Sequence, residues 1–298
     1  MTRINLDKRI NSGFFLLDGA MGTQLFARGI EAGRCGDLLN VESPDVIGDI
    51  HKAYIAAGSD AVFTNTFGAN KIILARHGLA DRAAEINAAA VKIARKAAGE
   101  DKYVLGDIGP CGDFLEPLGT LTAESLKQVF AEQAKILCDS GVDGFIIETM
   151  TALDEMLVAI DAVKSVCNLP VFASMSFDKA GDDFRTMMGV GVEDAAAKII
   201  SFEVAAVGFN CGKASLDEYV TLAAQFVSAV NGKTPVLAEP NAGLPELVDN
   251  RAVYKVSAEE FAQTAEKIHS AGVNIIGGCC GTSPEHIKAV ADKFKSSL

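Results

Sequence analysis

Eight short apolar runs recur along this chain, each followed by a segment of helical periodicity, at intervals of about 30 to 40 residues. The runs are residues 14–20, 60–67, 102–107, 142–147, 170–177, 205–209, 235–239 and 273–276. Between them, residues 44–57, 80–99, 122–140, 153–166, 192–202, 216–230 and 257–271 read as helices, and a last helix opens at Ser283-Pro284. Ser43-Pro44, Thr122 with Ser125, and Ser257 with Glu260 punctuate helix starts, and Gly141 a helix end. Runs this short and continuously apolar belong in strands buried on both faces, which is the condition of a parallel sheet covered by helices. Eight such units close into a single (β/α)8 TIM barrel of the α/β class. A doubly wound open sheet has the same rhythm and is the alternative. No linker or compositional break divides the 298 residues, so residues 1–298 read as one domain.

A barrel makes a sharp prediction, because its active site lies at the C-terminal ends of its strands. Those ends here carry Asp18, Asn65 with Thr66, Asp107, Glu148, Ser174, Asn210 with Cys211, Glu239 with Asn241, and Cys279 with Cys280. Any one of these could be polar only because loops are polar. The cysteines are harder to dismiss. In Gly277-Gly278-Cys279-Cys280-Gly281-Thr282, two adjacent thiols sit between glycines that let the backbone turn and bring both sulfurs to one point. Vicinal cysteines seldom bridge each other, and a shared metal explains them better. Cys211 follows the sixth run by two residues. The sixth and eighth strand ends of a barrel stand about 10 Å apart, within reach of one ion. Three thiolates leave one position of Zn2+ open, the mark of a catalytic site.

A Zn2+ held by three thiolates carries a net charge near −1 and is a weak Lewis acid for hydrolysis. It suits the activation of a substrate thiol, which is mostly protonated at neutral pH until a metal binds it. The pattern therefore points to alkylation of a thiol. Asp18 and Glu148 could be an acid–base pair, could grip the ammonium group of an amino acid, or could cap helices. Cys138 and Cys167 lie in or just after helices and read as buried free thiols that pack as small hydrophobes. Cys35 is in a loop, and Cys111 follows the third strand without an evident partner. His51, His77, His269 and His286 fall in or at the ends of helices and read as packing or surface residues.

The net charge is −12, which argues against nucleic acid or an anionic membrane as partner. No apolar signal core opens the chain and no run reaches the roughly 18 residues of a membrane span. Seven scattered cysteines do not make a secreted disulfide framework. The expectation is a cytoplasmic protein with mostly reduced thiols. The glycine turns at 19–22 and 277–281 lack the spacing of a dinucleotide fingerprint or a P-loop.

Asp18-Gly19-Ala20-Met21-Gly22-Thr23, Thr64-Asn65-Thr66-Phe67, Gly106-Asp107-Ile108-Gly109-Pro110, Glu148-Thr149, Asn210-Cys211-Gly212, Glu239-Pro240-Asn241-Ala242-Gly243 and Gly277-Gly278-Cys279-Cys280-Gly281-Thr282 together resemble the homocysteine S-methyltransferase family. They look most similar to the homocysteine-binding module of its cobalamin-dependent methionine synthases. The resemblance covers almost the whole chain. It implies a (β/α)8 barrel with zinc on Cys211, Cys279 and Cys280, and L-homocysteine sulfur as the fourth ligand, methylated to methionine. It implies that Asp18, Gly19, Ala20, Met21, Gly22, Thr23 and Glu148 hold the amino-acid end, with Asn65 and Thr66 in the same pocket. Asn241 would stand near the zinc and fill its open position without substrate. With the sequence ending at Leu298, the expectation is a chain without a folate, cobalamin or reactivation module of its own, an excised piece of a longer protein being the alternative. The donor is then expected to be methylcobalamin on a separate corrinoid protein, with S-methylmethionine or S-adenosylmethionine as the alternative. Betaine enzymes of the family use tryptophan around the quaternary ammonium, and this chain has none. A module that only presents homocysteine to a partner, without activity alone, is the other class of function.

Overall fold

The computed structural model describes residues 3–30, 33–248 and 251–295. Residues 1–2 and 296–298, read above at the two chain ends, fall outside the described residues. The eight expected strands form one sheet: β1 (Phe15–Leu16), β2 (Ala61–Phe63), β3 (Tyr103–Ile108), β4 (Gly144–Met150), β5 (Val171–Met175), β6 (Ala206–Asn210), β7 (Val236–Glu239) and β8 (Ile275–Ile276). Their order is β1-β8-β7-β6-β5-β4-β3-β2 and every ladder is parallel. Helices on the outside connect them. The architecture is a nearly closed (β/α)8 barrel.

The seam lies between β1 and β2, where carboxylates continue the ladder. Asp60 N donates to Leu16 O at 2.6 Å, and Leu16 N donates to Asp60 Oδ2 at 3.0 Å. One turn further up, Phe63 N donates to Asp18 Oδ2 at 3.0 Å. β1 spans two residues, fewer than the apolar run 14–20 suggested, although Leu17 N still donates to Ile276 O at 2.8 Å.

Strand side chains alternate between two packed layers. Phe15, Leu17, Ala61, Tyr103, Leu105, Ile146, Phe172, Ala206, Leu237 and Ile275 fill the barrel interior. Leu16, Val62, Val104, Phe145, Ile147, Ala173, Val207, Phe209, Ala238 and Ile276 face the helices. Burying each large apolar side chain contributes about 2–3 kcal/mol. Below the interior layer, helix Leu6–Ile10 closes the floor with Leu6 and Ile10. Two residues above it on the same strands stand Asp107, Glu148, Ser174 and Glu239, with Asn210 four residues beyond Ala206. The period of two thus builds a polar layer on an apolar one.

Thr122 caps its helix by accepting from Ser125 N at 3.1 Å, and Ser257 with Glu260 forms a capping box. Ser43 occupies its N-cap position without a side-chain bond, Pro44 following at the first turn. The helix expected from residue 80 starts at Ala83, after a 3-10 turn at Ala80–Arg82. The polar segment 178–186, expected as a loop, contains an antiparallel hairpin pairing Asp178–Ala180 with Asp183–Arg185. A second hairpin pairs Glu246–Val248 with Arg251–Val253. Among the described residues no helix is long and apolar enough to cross a membrane.

One expectation is overturned. Cys138 and Cys167 are bonded as a disulfide, not packed as free thiols. Cys138 lies in the last turn of helix Ala123–Ser140, and Cys167 caps helix Leu153–Val166. These helices run side by side on the barrel exterior, so their C-terminal turns meet although 29 residues separate the cysteines. The remaining five cysteines are free.

Candidate metal and substrate site

The turn after β8 and the end of β6 bring Cys211, Cys279 and Cys280 together. Their three Sγ atoms lie within 4.8 Å of one another, with Cys211 and Cys280 3.9 Å apart. Thiolates about 2.3 Å from a tetrahedral zinc stand about 3.8 Å from each other, so this donor set fits the ion in number, chemistry and spacing. Hydrogen bonds from Cys211 and Cys279 push the Cys280 thiol down to about 3, while sharing with Cys211 and Cys280 holds the Cys279 thiol well above its usual range.

The backbone around the sulfurs is tightly set. Cys211 adopts φ +57°, a left-handed conformation uncommon for non-glycine residues. Tyr219 OH donates to its carbonyl at 2.7 Å. Cys279 N donates to Pro240 O at 2.9 Å and Ala242 N to Cys280 O at 2.9 Å, tying the cysteine turn to the end of β7. Gly281 takes φ +83°, and a Cβ there would come within 2.2 Å of the Tyr254 ring. Only glycine serves at that point.

The turn through residues 18–23 is stitched to the same loop. Gly278 N donates to Asp18 O at 3.0 Å, Ala20 N to Thr282 Oγ1 at 3.0 Å, and Gly281 N to Thr23 Oγ1 at 2.9 Å. A Cβ on Gly19 would stand 2.7 Å from Thr282 Oγ1, so glycine permits this approach. Met21 and Gly22 begin the helix Met21–Ala27 that leaves the rim.

Asp18, Asp107, Glu148 and Glu239 converge beneath this loop. Burial drives the first, second and fourth carboxyls well above the carboxylate range, and neighbouring acids add to the rise. Burial likewise raises Glu148 to about 7, against a hydrogen bond from Thr149. Asp18 Oδ1, Asp107 Oδ1 and Glu239 Oε2 are buried without a hydrogen-bond partner. A buried polar atom left bare is costly, and three together mark a place where a cationic or hydrogen-bonding group fits. Asn241 belongs to the same rim. Its Nδ2 donates to Gly212 O at 2.8 Å and stands 4.0 Å from Cys211 Sγ, leaving Oδ1 buried and unpartnered.

Asn65 and Thr66 lie differently. Asn65 Nδ2 donates to Gly36 O at 2.9 Å and Asn40 Oδ1 at 3.1 Å. Thr66 Oγ1 donates to Asp107 O at 2.7 Å. Both side chains are engaged in holding neighbouring backbone. Cys111 is buried 3.2 Å from Asp113 O, and burial raises its thiol to about 12, which makes it unreactive. Cys35, within the 33–40 loop, is buried.

Sequence reading gave too little weight to Asn210 and Thr149. Thr149, at φ +59°, sits in a bulge where the β4–β5 register shifts. A β-branched residue there is a genuine outlier, and such strain collects at functional sites. The Asn-Cys-Gly motif was the available signal for Asn210.

Comparison with known proteins gives the family. Residues 15–294 match the family model described as homocysteine S-methyltransferase. The chain is 34% identical to methionine synthase of Mycobacterium tuberculosis and 33% identical to that of Mycobacterium leprae, in each case over an alignment of 296 residues that covers 92% of this chain. It spans only 24% of the length of these relatives. Among solved structures, the metallated form of the homocysteine methyltransferase MmuM from Escherichia coli superposes with a TM-score of 0.79 at 23% identity, covering 96% of this chain and 98% of that one. Its oxidised form gives 0.78 at 24%, covering 97% and 100%. These two establish likeness of fold, and the match along nearly all of the sequence carries the conclusion: the chain belongs to the homocysteine S-methyltransferase family.

Proposed function

We propose that this chain transfers a methyl group to the thiol of L-homocysteine, giving methionine, with zinc held by Cys211, Cys279 and Cys280. The observation that carries the reading is the convergence of three Sγ atoms within 4.8 Å at the ends of β6 and β8. When bound, zinc would supply one thing: it takes the homocysteine sulfur as fourth ligand and keeps it as a thiolate at neutral pH.

The chain's own groups do the rest. Asp18 and Glu148 receive the ammonium group, Asp18 through the oxygen that has no partner. The 18–23 turn, carrying Gly19, Ala20, Met21, Gly22 and Thr23, shapes the amino-acid end of the pocket. Asn65 and Thr66 support the pocket by fixing the rim beside it. Asn241 lies beside Cys211 with a bare carboxamide oxygen, suited to stand in at the metal before homocysteine enters. The sulfur of homocysteine, its proton lost to water, attacks the donor methyl carbon. One S–C bond forms, and the donor–methyl bond breaks with its electron pair remaining on the donor.

The donor in this reading is methylcobalamin on a corrinoid protein or domain. The methionine synthases matched here are about four times the length aligned to this chain, so they have other parts beside such a barrel. Zinc content and zinc-edge X-ray absorption test the acceptor half. One zinc per chain, with three sulfur ligands rising to four on adding L-homocysteine, is the expected result. A sulfur count that stays fixed would overturn it. Turnover with methylcobalamin, compared with S-methylmethionine and S-adenosylmethionine, then tests the donor.

A further inference from the structure

Asn210 ends β6 with its side chain fully buried. Its Oδ1 accepts from Thr149 N at 2.8 Å and from Ser174 Oγ at 2.8 Å. A main-chain N–H can only donate, so the oxygen must face Thr149 and the NH2 must face the other way. There Nδ2 lies 2.6 Å from Glu148 Oε2, 2.7 Å from Thr149 Oγ1 and 3.6 Å from Cys279 Sγ. Thr149 Oγ1 also donates to Glu148 Oε2 at 3.0 Å. One carboxamide thus spans from a carboxylate at the end of β4 to a thiol after β8, with both hydrogens and both lone pairs engaged.

We infer that Asn210 is a specificity-determining positioning residue: it sets the separation between the carboxylate that receives the substrate's ammonium group and the sulfur cluster that receives its thiol. The inference rests on the function proposed above. The carboxamide touches Glu148 and Cys279 directly, so it acts as a spacer of fixed length between two anchors. Homocysteine has one methylene more than cysteine between Cα and sulfur, so a fixed span between the two anchors is what would tell them apart. Thr149 is held at its left-handed φ by the same carboxamide, which keeps Glu148 aimed inward. Without the spacer both anchors relax and the span is no longer defined.

The test uses zinc-loaded full chain and two ligands, L-homocysteine and L-cysteine, titrated calorimetrically, with zinc-edge absorption reporting the sulfur count. Wild-type protein is expected to prefer homocysteine by about 10–200-fold, the usual worth of a methylene in a shaped pocket. Asn210→Asp keeps the volume but turns the donor toward Glu148 and Cys279 into an acceptor. It is expected to retain one zinc and to lose about tenfold of the preference, chiefly through weaker homocysteine binding. A folded, zinc-bound Asn210→Asp with wild-type preference overturns the inference. If that variant fails to fold or drops its metal, Ser174→Ala decides. It removes one of the two donors that orient the carboxamide, and is expected to lower the preference about threefold. An unchanged preference in that variant also overturns the role. Failure of the underlying reading is seen earlier and separately, as wild-type protein that binds no zinc or whose sulfur count ignores homocysteine.

Discussion

Asp60 Oδ2 accepts the main-chain N–H of Leu16 at 3.0 Å, across the one seam of the barrel where the strand ladder is interrupted. The same carboxylate faces Lys295 Nζ at 2.8 Å, Arg9 Nη2 at 3.1 Å and Lys102 Nζ at 3.5 Å. Burial works against its ionised form, yet Lys295 holds its carboxyl below the usual range. Asp60→Ala leaves the Leu16 N–H bare and three cations facing one another. A loss of roughly 3 kcal/mol is expected in urea unfolding. A loss below about 1 kcal/mol would mean that the seam is held elsewhere.

The thiolate trio predicts a separation among the cysteines. Cys279→Ala should leave the protein folded and take zinc stoichiometry from one toward zero, since two thiolates are a poor site. Cys111→Ala, buried and away from the trio, should keep the metal. Full zinc in Cys279→Ala would remove the site.

His51, in helix Pro44–Ala56, is fully buried and both ring nitrogens lack a partner. Burial alone pushes its pKa down to about 4, against about 6.5 in an unfolded chain. Above pH 6.5 both states are neutral and the residue has no pH effect. Below it, the unfolded chain takes up a proton that the folded one refuses, so stability falls. The fall reaches about 3 kcal/mol by pH 4. His51→Leu should flatten the stability curve over pH 6.5 to 4 by that amount. An unchanged slope would place the acid sensitivity in other groups.

The disulfide invites a similar comparison. Cys167→Ser opens a loop of 29 residues, worth about 3–4 kcal/mol by chain entropy. Denaturant midpoints of oxidised wild type and the variant should differ accordingly, while zinc content stays the same. Equal midpoints would show that the bond does not form in solution.

The sequence carried the barrel because buried parallel strands announce themselves as apolar runs, and their polar ends fell where the alternation required. The thiolate trio was legible for the same reason: Cys211 and Cys279-Cys280 each follow a run. What escaped was set by contacts between distant segments. The Cys138–Cys167 bond depends on two helix ends meeting, which no local spacing reveals. Both hairpins are built of strands of three residues, too short to leave a periodic trace. Asn65 and Thr66 look like pocket residues in a strand-end motif, yet the fold turns their side chains onto Gly36, Asn40 and Asp107. Asn210 looked like one more polar strand end until its five contacts with four residues were placed around it.

Helix Leu6–Ile10 seals the barrel floor, and that closure has a kinetic meaning. With the floor filled by Leu6 and Ile10 among the described residues, the sulfurs are approached from the C-terminal ends of the strands. A molecule lying deep against the carboxylates must arrive before anything that covers it, and cannot depart until the cover has gone. Two-substrate kinetics on such a chain should be compulsorily ordered, with the deeper ligand binding first and its product released last.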